Sequence, residues 1–279
     1  MNALERQLNY PMGETLPAQG GSLAVAPGVR WLRMTLPFAL DHINLWLLRD
    51  EIDGQPGWTV VDCCVDRAEA RAQWETIFAD ELEGLPVLRV MVTHMHPDHL
   101  GLAAWLCERW RCPLWISATD YFSARLHVDN GAGFGADLAA AFFASHGLTG
   151  AEGAAAVRSR ANHYSSLVPA IPPAFRRLQH GQRIRIGGHD WECIAGYGHA
   201  PEHIAFHCPG LDLLIAGDMM LPRISTNVSV QASEPDADPL AAFLASIDGF
   251  RALPVDTLTL PAHGKPFTGL HLRIDQLQS

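Results

Sequence analysis

The sequence predicts a mixed α/β (α+β) fold: a single domain over residues 1–279, in which two halves of strand-then-helix grammar flank a helical insertion. Three observations predict it. The chain is 48% hydrophobic and only 18% charged, which supplies a sizeable core and is the opposite of the composition that keeps a chain disordered. Its apolar residues fall into short runs bounded by Gly, Pro and Asp, the length and punctuation of strands. Helix-like spacing recurs between those runs, as it does when strands and helices alternate.

Leu45–Leu48 and Trp58–Val61 read as strands, separated by Asp53-Gly54 and Pro56-Gly57 as turn material. Arg67 to Leu82 places Ala70, Trp74, Ile77, Phe78 and Leu82 on a helix face, stopped by Gly84 with Pro86 beyond. Val87–Val92 is a strand, and Asp98 to Arg109 a helix with the acidic residue capping its start. Leu114–Ile116 is a further strand. From about 119 to 173 the chain turns Ala-rich and helical, with one helix face at Leu138, Ala141 and Phe142 and a second helix from Glu152 to Leu167. Arg176, Arg177, Arg183 and Arg185 then read as a loop entering a strand. Strands follow at Ile184–Ile186, Trp191–Ala195, Ile204–Cys208 and Leu213–Ala216. Pro239–Phe250 is helical, Thr257–Leu260 a strand, and a last helix starts at about Leu270.

Charge and composition narrow the function classes. Thirty acidic against twenty basic residues give a net charge of −10, with Lys265 the only lysine. Such a surface repels phosphate backbones, so a nucleic-acid partner is disfavoured and a small-molecule substrate expected. The longest apolar run, Leu138–Ala144, is far short of the roughly 18 residues of a membrane span. The opening Met1–Arg6 lacks a basic segment followed by an apolar one, so a cytoplasmic protein is expected. Cys63, Cys64, Cys107, Cys112, Cys193 and Cys208 contain no Cys-x-x-Cys pair and read as small buried hydrophobes. Oligomeric state is not readable from the chain.

The chemistry concentrates in Thr93-His94-Met95-His96-Pro97-Asp98-His99, directly after an apolar strand and before a helix. In extended chain, residues i and i+2 point the same way, so His94 and His96 can aim at one metal ion. Asp98 and His99, where the chain turns, can aim at a point a few ångströms away. Three more strand ends carry donors: His199 in Gly198-His199-Ala200-Pro201, Asp218 in Ala216-Gly217-Asp218, and His263 in Pro261-Ala262-His263-Gly264. All can gather at one edge of a sheet sandwich.

His94-x-His96-x-Asp98-His99 followed by His199, Asp218 and His263 resembles the ligand set of the metallo-β-lactamase superfamily. The resemblance runs from the Val60-Val61-Asp62 strand to His263 and implies a four-layer αββα sandwich of two similar halves. It implies that His94, His96 and His199 bind a first metal, that Asp98, His99 and His263 bind a second, and that Asp218 bridges the two. Asp62 would orient a ligand from behind; Cys63-Cys64 stand where the family has Thr-Gly, which puts Cys64 next to the metals as a candidate neighbour. Histidine with carboxylate and no thiolate suits two zinc ions, with iron or manganese as alternatives. Metal-bound hydroxide would attack a small ester, thioester or lactone, with Asp218 holding the metals and Asp98 also orienting the hydroxide. His203 is a candidate for proton transfer or substrate contact, and equally for a structural role. Arg223 could meet an anionic group or simply be solvated, while Tyr164 could cover the site or pack the insertion on the sandwich. The alternatives are a lactamase-like endoribonuclease and a mononuclear iron persulfide dioxygenase-like enzyme.

Overall fold

The computed structural model describes residues 3–129, 135–159 and 163–279. Among the described residues, twelve strands form two sheets. The larger contains β1 (Ser22–Ala26), β2 (Val29–Thr35), β3 (His42–Ile52), β4 (Gln55–Val61), β5 (Val87–Met91), β6 (Leu114–Ser117) and β7 (Phe175–Leu178), in that order. It is antiparallel from β1 to β4 and parallel from β4 to β7. The smaller has the order β12-β11-β10-β9-β8, from β8 (Arg183–Ile186), β9 (His189–Gly196), β10 (His203–Cys208), β11 (Leu213–Gly217) and β12 (Leu258–Pro261).

Helices cover both outer faces. Helices α1 (Ala68–Asp80), α2 (Pro97–Leu100) and α3 (Ala103–Trp110) link the parallel strands of the larger sheet. The insertion between β6 and β7 holds α4 (Ala118–Asp129), α5 (Ala136–Ser145), α6 (Ala151–Ser159) and α7 (His163–Leu167). Helices α8 (Pro239–Gly249) and α9 (Leu270–Gln278) cover the smaller sheet. The result is the four-layer αββα sandwich.

Side-chain alternation explains why the central strands are apolar throughout. On β3, Leu45 and Leu47 join the layer under the helices, while Trp46 and Leu48 join the layer between the sheets. On β11, Leu213 and Ile215 face the other sheet, and Leu214 and Ala216 face α8 and α9. A strand buried on both faces has no polar side to display. Trp31 and Trp46, stacked with ring centroids 6.4 Å apart, pack with Trp191 and Phe206 in the middle layer. A buried ion pair ties the sheets together. Arg89 on β5 donates through Nη2 to Asp50 Oδ2 on β3 (2.6 Å) and to the Arg185 carbonyl on β8 (2.8 Å).

Three sequence expectations are corrected. Pro56-Gly57 lies within β4, and the β3–β4 turn is Asp53-Gly54 alone; Gly57 is required because a Cβ there would fall 2.5 Å from the Pro86 carbonyl. The expected helix from Asp98 to Arg109 divides into α2 and α3, and Asp98 does not cap it; His96 holds the N-cap position. Arg176 and Arg177 belong to β7, and Arg183 and Arg185 to β8. The range of the expected 152–167 helix holds α6 and α7, and residues 160–162 between them lie outside the described residues. All six cysteines are free, and five are buried. Among the described residues no helix is long and apolar enough to cross a membrane.

Candidate metal centre

The donors converge at the strand ends of the two sheets. His94, His96, Asp98 and His99 follow β5, and Asp62 ends β4. His199 leaves β9, Asp218 follows β11 and His263 follows β12. The bond from Ile204 N to the Thr93 carbonyl (2.8 Å) sews the β5 loop to β10 and so joins the two sheets at this rim.

Three nitrogens form a near-equilateral triangle: His94 Nε2 to His96 Nδ1 at 2.9 Å, His96 Nδ1 to His199 Nε2 at 3.0 Å, and His199 Nε2 to His94 Nε2 at 3.1 Å. A tetrahedral ion with bonds of about 2.0–2.1 Å sets its donors roughly 3.3 Å apart, so the triangle is close to that size. Asp218 Oδ2 approaches it, 3.2 Å from His199 Nε2. The other carboxylate oxygen of Asp218 turns to a second group: Oδ1 lies 3.6 Å from His99 Nε2 and 3.4 Å from His263 Nε2. Asp98 Oδ2 completes it, at 3.6 Å from His99 Nε2 and 3.3 Å from His263 Nε2. His99 Nε2 and Asp218 Oδ1 are buried without a hydrogen-bond partner. Buried polar atoms are seldom left so; two orphans facing one point fit a cation.

Behind the donors, four of the five rings are aimed through their other nitrogen. His99 Nδ1 meets Asp62 Oδ2 at 2.8 Å, His199 Nδ1 the Asn227 carbonyl at 2.8 Å and His263 Nδ1 the His42 carbonyl at 2.7 Å. His94 Nδ1 meets Thr93 Oγ1 at 3.0 Å, and that hydroxyl donates to Asp62 at 2.9 Å. Asp62 itself takes the left-handed φ of 63° and accepts Thr93 N at 2.8 Å. Cys64 stands at φ 70°, buried and outside both donor groups; burial pushes its thiol up to about 12.

Electrostatics divides the two groups. Burial, reinforced by neighbouring imidazoles, drives His94 well below the ordinary histidine value and His96 down to about 3, so both are neutral donors. Burial also acts to lower His99, but the carboxylates of Asp62, Asp98 and Asp218 outweigh it and raise His99 to about 10. His263 is raised too, the Asp218 and Asp98 carboxylates overcoming burial. The imidazoles in turn hold Asp218 well below the carboxylate range against the pull of burial.

The remaining candidates sit elsewhere. His203 is fully enclosed and accepts the Asp218 N–H at Nε2 (3.2 Å). A Cβ at Gly217, which has φ 51°, would lie 2.2 Å from that nitrogen, so glycine is what lets the two approach. Tyr164 donates to the Met95 carbonyl at 2.7 Å, packing the insertion onto the loop that carries the histidines. Arg223 is exposed. Sequence reasoning missed Asp120, a fully buried carboxylate on α4. Its Oδ1 accepts Met95 N (2.8 Å) and its Oδ2 accepts Glu202 N (2.6 Å), bridging the loops of His96 and His199. The visible signal was Ser117-x-x-Asp120, a capping-box pattern.

A model of the metallo-beta-lactamase superfamily matches residues 40–263. The chain is similar to a beta-lactamase domain protein from Burkholderia ambifaria, 53% identical, with a TM-score of 0.89 over 99% of this chain and 80% of that one. It is also similar to a metallo-beta-lactamase family protein from Thermus thermophilus, 25% identical, with a TM-score of 0.74 over 91% of this chain and 79% of that one. Among curated relatives, the probable metallo-hydrolase YqjP of Bacillus subtilis is 23% identical over 253 residues, 88% of this chain and 74% of its own. The hydroxyacylglutathione hydrolase of Fuscovulum blasticum is 32% identical over 109 residues, 39% of this chain and 40% of its own.

Proposed function

From the premise that this chain belongs to the metallo-beta-lactamase superfamily, we propose that it is a dinuclear metal-dependent hydrolase, zinc-loaded, of a small ester, thioester or lactone. The observation that carries the reading is the pair of donor groups sharing Asp218, whose two oxygens face different groups. Two bound cations would polarise a substrate carbonyl and lower the pKa of a water from 15.7 to about 7.

The chain's residues do the rest. His94, His96 and His199 would hold one ion and Asp98, His99 and His263 the other, with Asp218 facing both groups. Asp98, with 17% of its side chain exposed, is placed to accept a proton from an attacking water. His203, enclosed and bonded to the Asp218 N–H, acts as a positioning residue rather than touching substrate. The partial match to a hydroxyacylglutathione hydrolase, whose name gives an acyl thioester as substrate, favours acyl chemistry over phosphodiesters. So does the net charge of −10.

Metal analysis with a substrate panel tests this. Two zinc equivalents per chain are expected, with turnover on at least one ester, thioester or lactone, and Asp218→Ala is expected to reduce both metal content and turnover to background. One iron per chain without zinc, or full turnover in Asp218→Ala, would overturn the reading.

A further inference from the structure

Beside the metal centre lies a cavity of about 470 Å³ that ends at His263 and Gly264. Its walls include Leu40 from the β2–β3 connection, His42 at the start of β3, Arg223 and Ile224 from the segment after Asp218, and Arg33 from β2. Two of its walls thus belong to segments that carry metal-facing side chains. A molecule seated there lies against the second donor group.

Lys265 Nζ is 2.8 Å from Glu14 Oε1. Asp41 Oδ1 accepts from His42 Nδ1 at 2.6 Å, but burial lowers His42 to about 4, so the imidazole is neutral and Asp41 keeps its charge. Of the five N–H donors of Arg33, one is committed, from Nη1 to the Gly264 carbonyl at 3.2 Å. Among the described residues no carboxylate lies within 4.0 Å of it to form an ion pair. It is half-buried, and burial lowers its pKa against the opposing charge of Asp41.

We propose that Arg33 is the anion-recognition residue of the substrate pocket, and that the preferred substrate is an acyl ester or thioester carrying a free carboxylate. The proposal rests on the hydrolase reading above. A planar guanidinium with uncommitted donors matches a carboxylate in a two-pronged geometry. A neutral acyl chain would leave those donors desolvated and unpaired, which costs binding. The overall charge of −10 gives an anion no long-range attraction, so its recognition has to be local.

The test compares two esters of equal acyl length, 4-nitrophenyl hydrogen glutarate and 4-nitrophenyl valerate, on zinc-loaded wild type and Arg33→Met. Calorimetry with glutarate on the metal-free proteins reads the subsite without turnover. Wild type is expected to show at least a tenfold lower KM for the glutarate ester. Arg33→Met raises that KM tenfold or more, changes kcat less than threefold, leaves the valerate ester within twofold and loses glutarate binding. Arg33→Lys, which keeps the charge without the fork, serves if the Met variant does not fold, and retains an intermediate preference. Equal KM for both esters in wild type, or equal losses for both in the variant, overturns the proposal while leaving the hydrolase reading intact. Glutarate binding that needs Arg33, with neither ester hydrolysed, leaves the anion subsite standing and removes the hydrolase reading for this ester class.

Discussion

Four of the imidazoles at the candidate metal centre are fixed through their second ring nitrogen, by Thr93, Asp62, the Asn227 carbonyl and the His42 carbonyl. His96, which faces the triangle through Nδ1, depends on its backbone instead, and there Asp120 matters most. One carboxylate receives N–H groups from Met95 and Glu202, 25 and 82 residues away. In Asp120→Asn one of those N–H groups would meet an amide NH₂, costing about 1–3 kcal/mol and loosening the His96 and His199 loops. Zinc retention against a competing chelator is expected to fall in this variant, and unchanged retention would show that the clamp is only structural. The sign of its pH effect follows from burial, which raises Asp120 to about 6 from 3.8. The folded chain therefore binds more protons than the unfolded chain between about pH 4 and 6. Stability contributed by this group falls as pH rises through that window, by roughly 3 kcal/mol in total. His94 and His96, whose pKa values burial lowers, act in the opposite sense in both proteins. The decline is therefore expected in the difference between wild type and Asp120→Asn in denaturant melts of metal-free protein from pH 4 to 7, and a difference that does not change with pH would exclude it. The candidate donors were legible in the sequence because three histidines and an aspartate within six residues after an apolar strand are a distinctive pattern. Asp120 was not, because Ser-x-x-Asp at a helix start reads as a local cap, and its actual partners are remote in the chain.

At the scale of elements, β3 to β5 and β10 to β11, buried on both faces, were readable, whereas β2, which also contributes to both layers, was missed because Arg30 and Arg33 interrupt its apolar run. Where the chain serves the site, local signals misled. The stretch from Asp98 to Arg109 has helical composition throughout, but it divides between α2 and α3 at Gly101, where a Cβ would lie 2.6 Å from the Cys64 carbonyl. That close approach, with Leu102 N bonded to Cys64 O at 3.0 Å, seats the histidine loop on the end of β4. The buried pair Asp50–Arg89 was equally hidden, because a charged residue in a strand gives no sign of its partner. Arg89 lies 5% exposed, and Asp50 also receives the Thr59 hydroxyl at 2.6 Å and Gly187 N at 3.3 Å. Removing one member of such a pair strands a charge, at a cost of about 3–5 kcal/mol. Arg89→Met is therefore expected to lower the urea midpoint by that equivalent, without changing metal content in the folded fraction. A midpoint unchanged within error would show that the carboxylate finds other compensation.

Across the whole molecule, the insertion divides into a base that is part of the sandwich and a tip that is not. At the base, Tyr121 stacks on Phe175 with centroids 4.0 Å apart, Ala124 is buried, and Tyr164 reaches the Met95 carbonyl. At the tip, α5 buries only Ala140 and α6 buries nothing, the two helices pairing chiefly with each other. Apolar burial is the dominant favourable term in folding, so the tip adds little to global stability while the base adds a good deal. This division was not readable from composition, because α5, with five Ala and two Phe in ten residues, is the more apolar helix and yet buries less than α4. Helices α4 and α7 adjoin, so deleting Ala136–Ser159 leaves the flanking residues to connect them. That deletion is expected to preserve two zinc equivalents and to shift the thermal midpoint by less than about 4 °C, the change that roughly 1 kcal/mol produces in a chain of this size. Tyr164→Phe, which removes one hydroxyl from the base, is expected to leave the tip intact and weaken the hold on the histidine loop. If the deletion unfolds the protein or strips its metal, the tip carries stability that its exposed surface does not account for, and the division between base and tip is wrong.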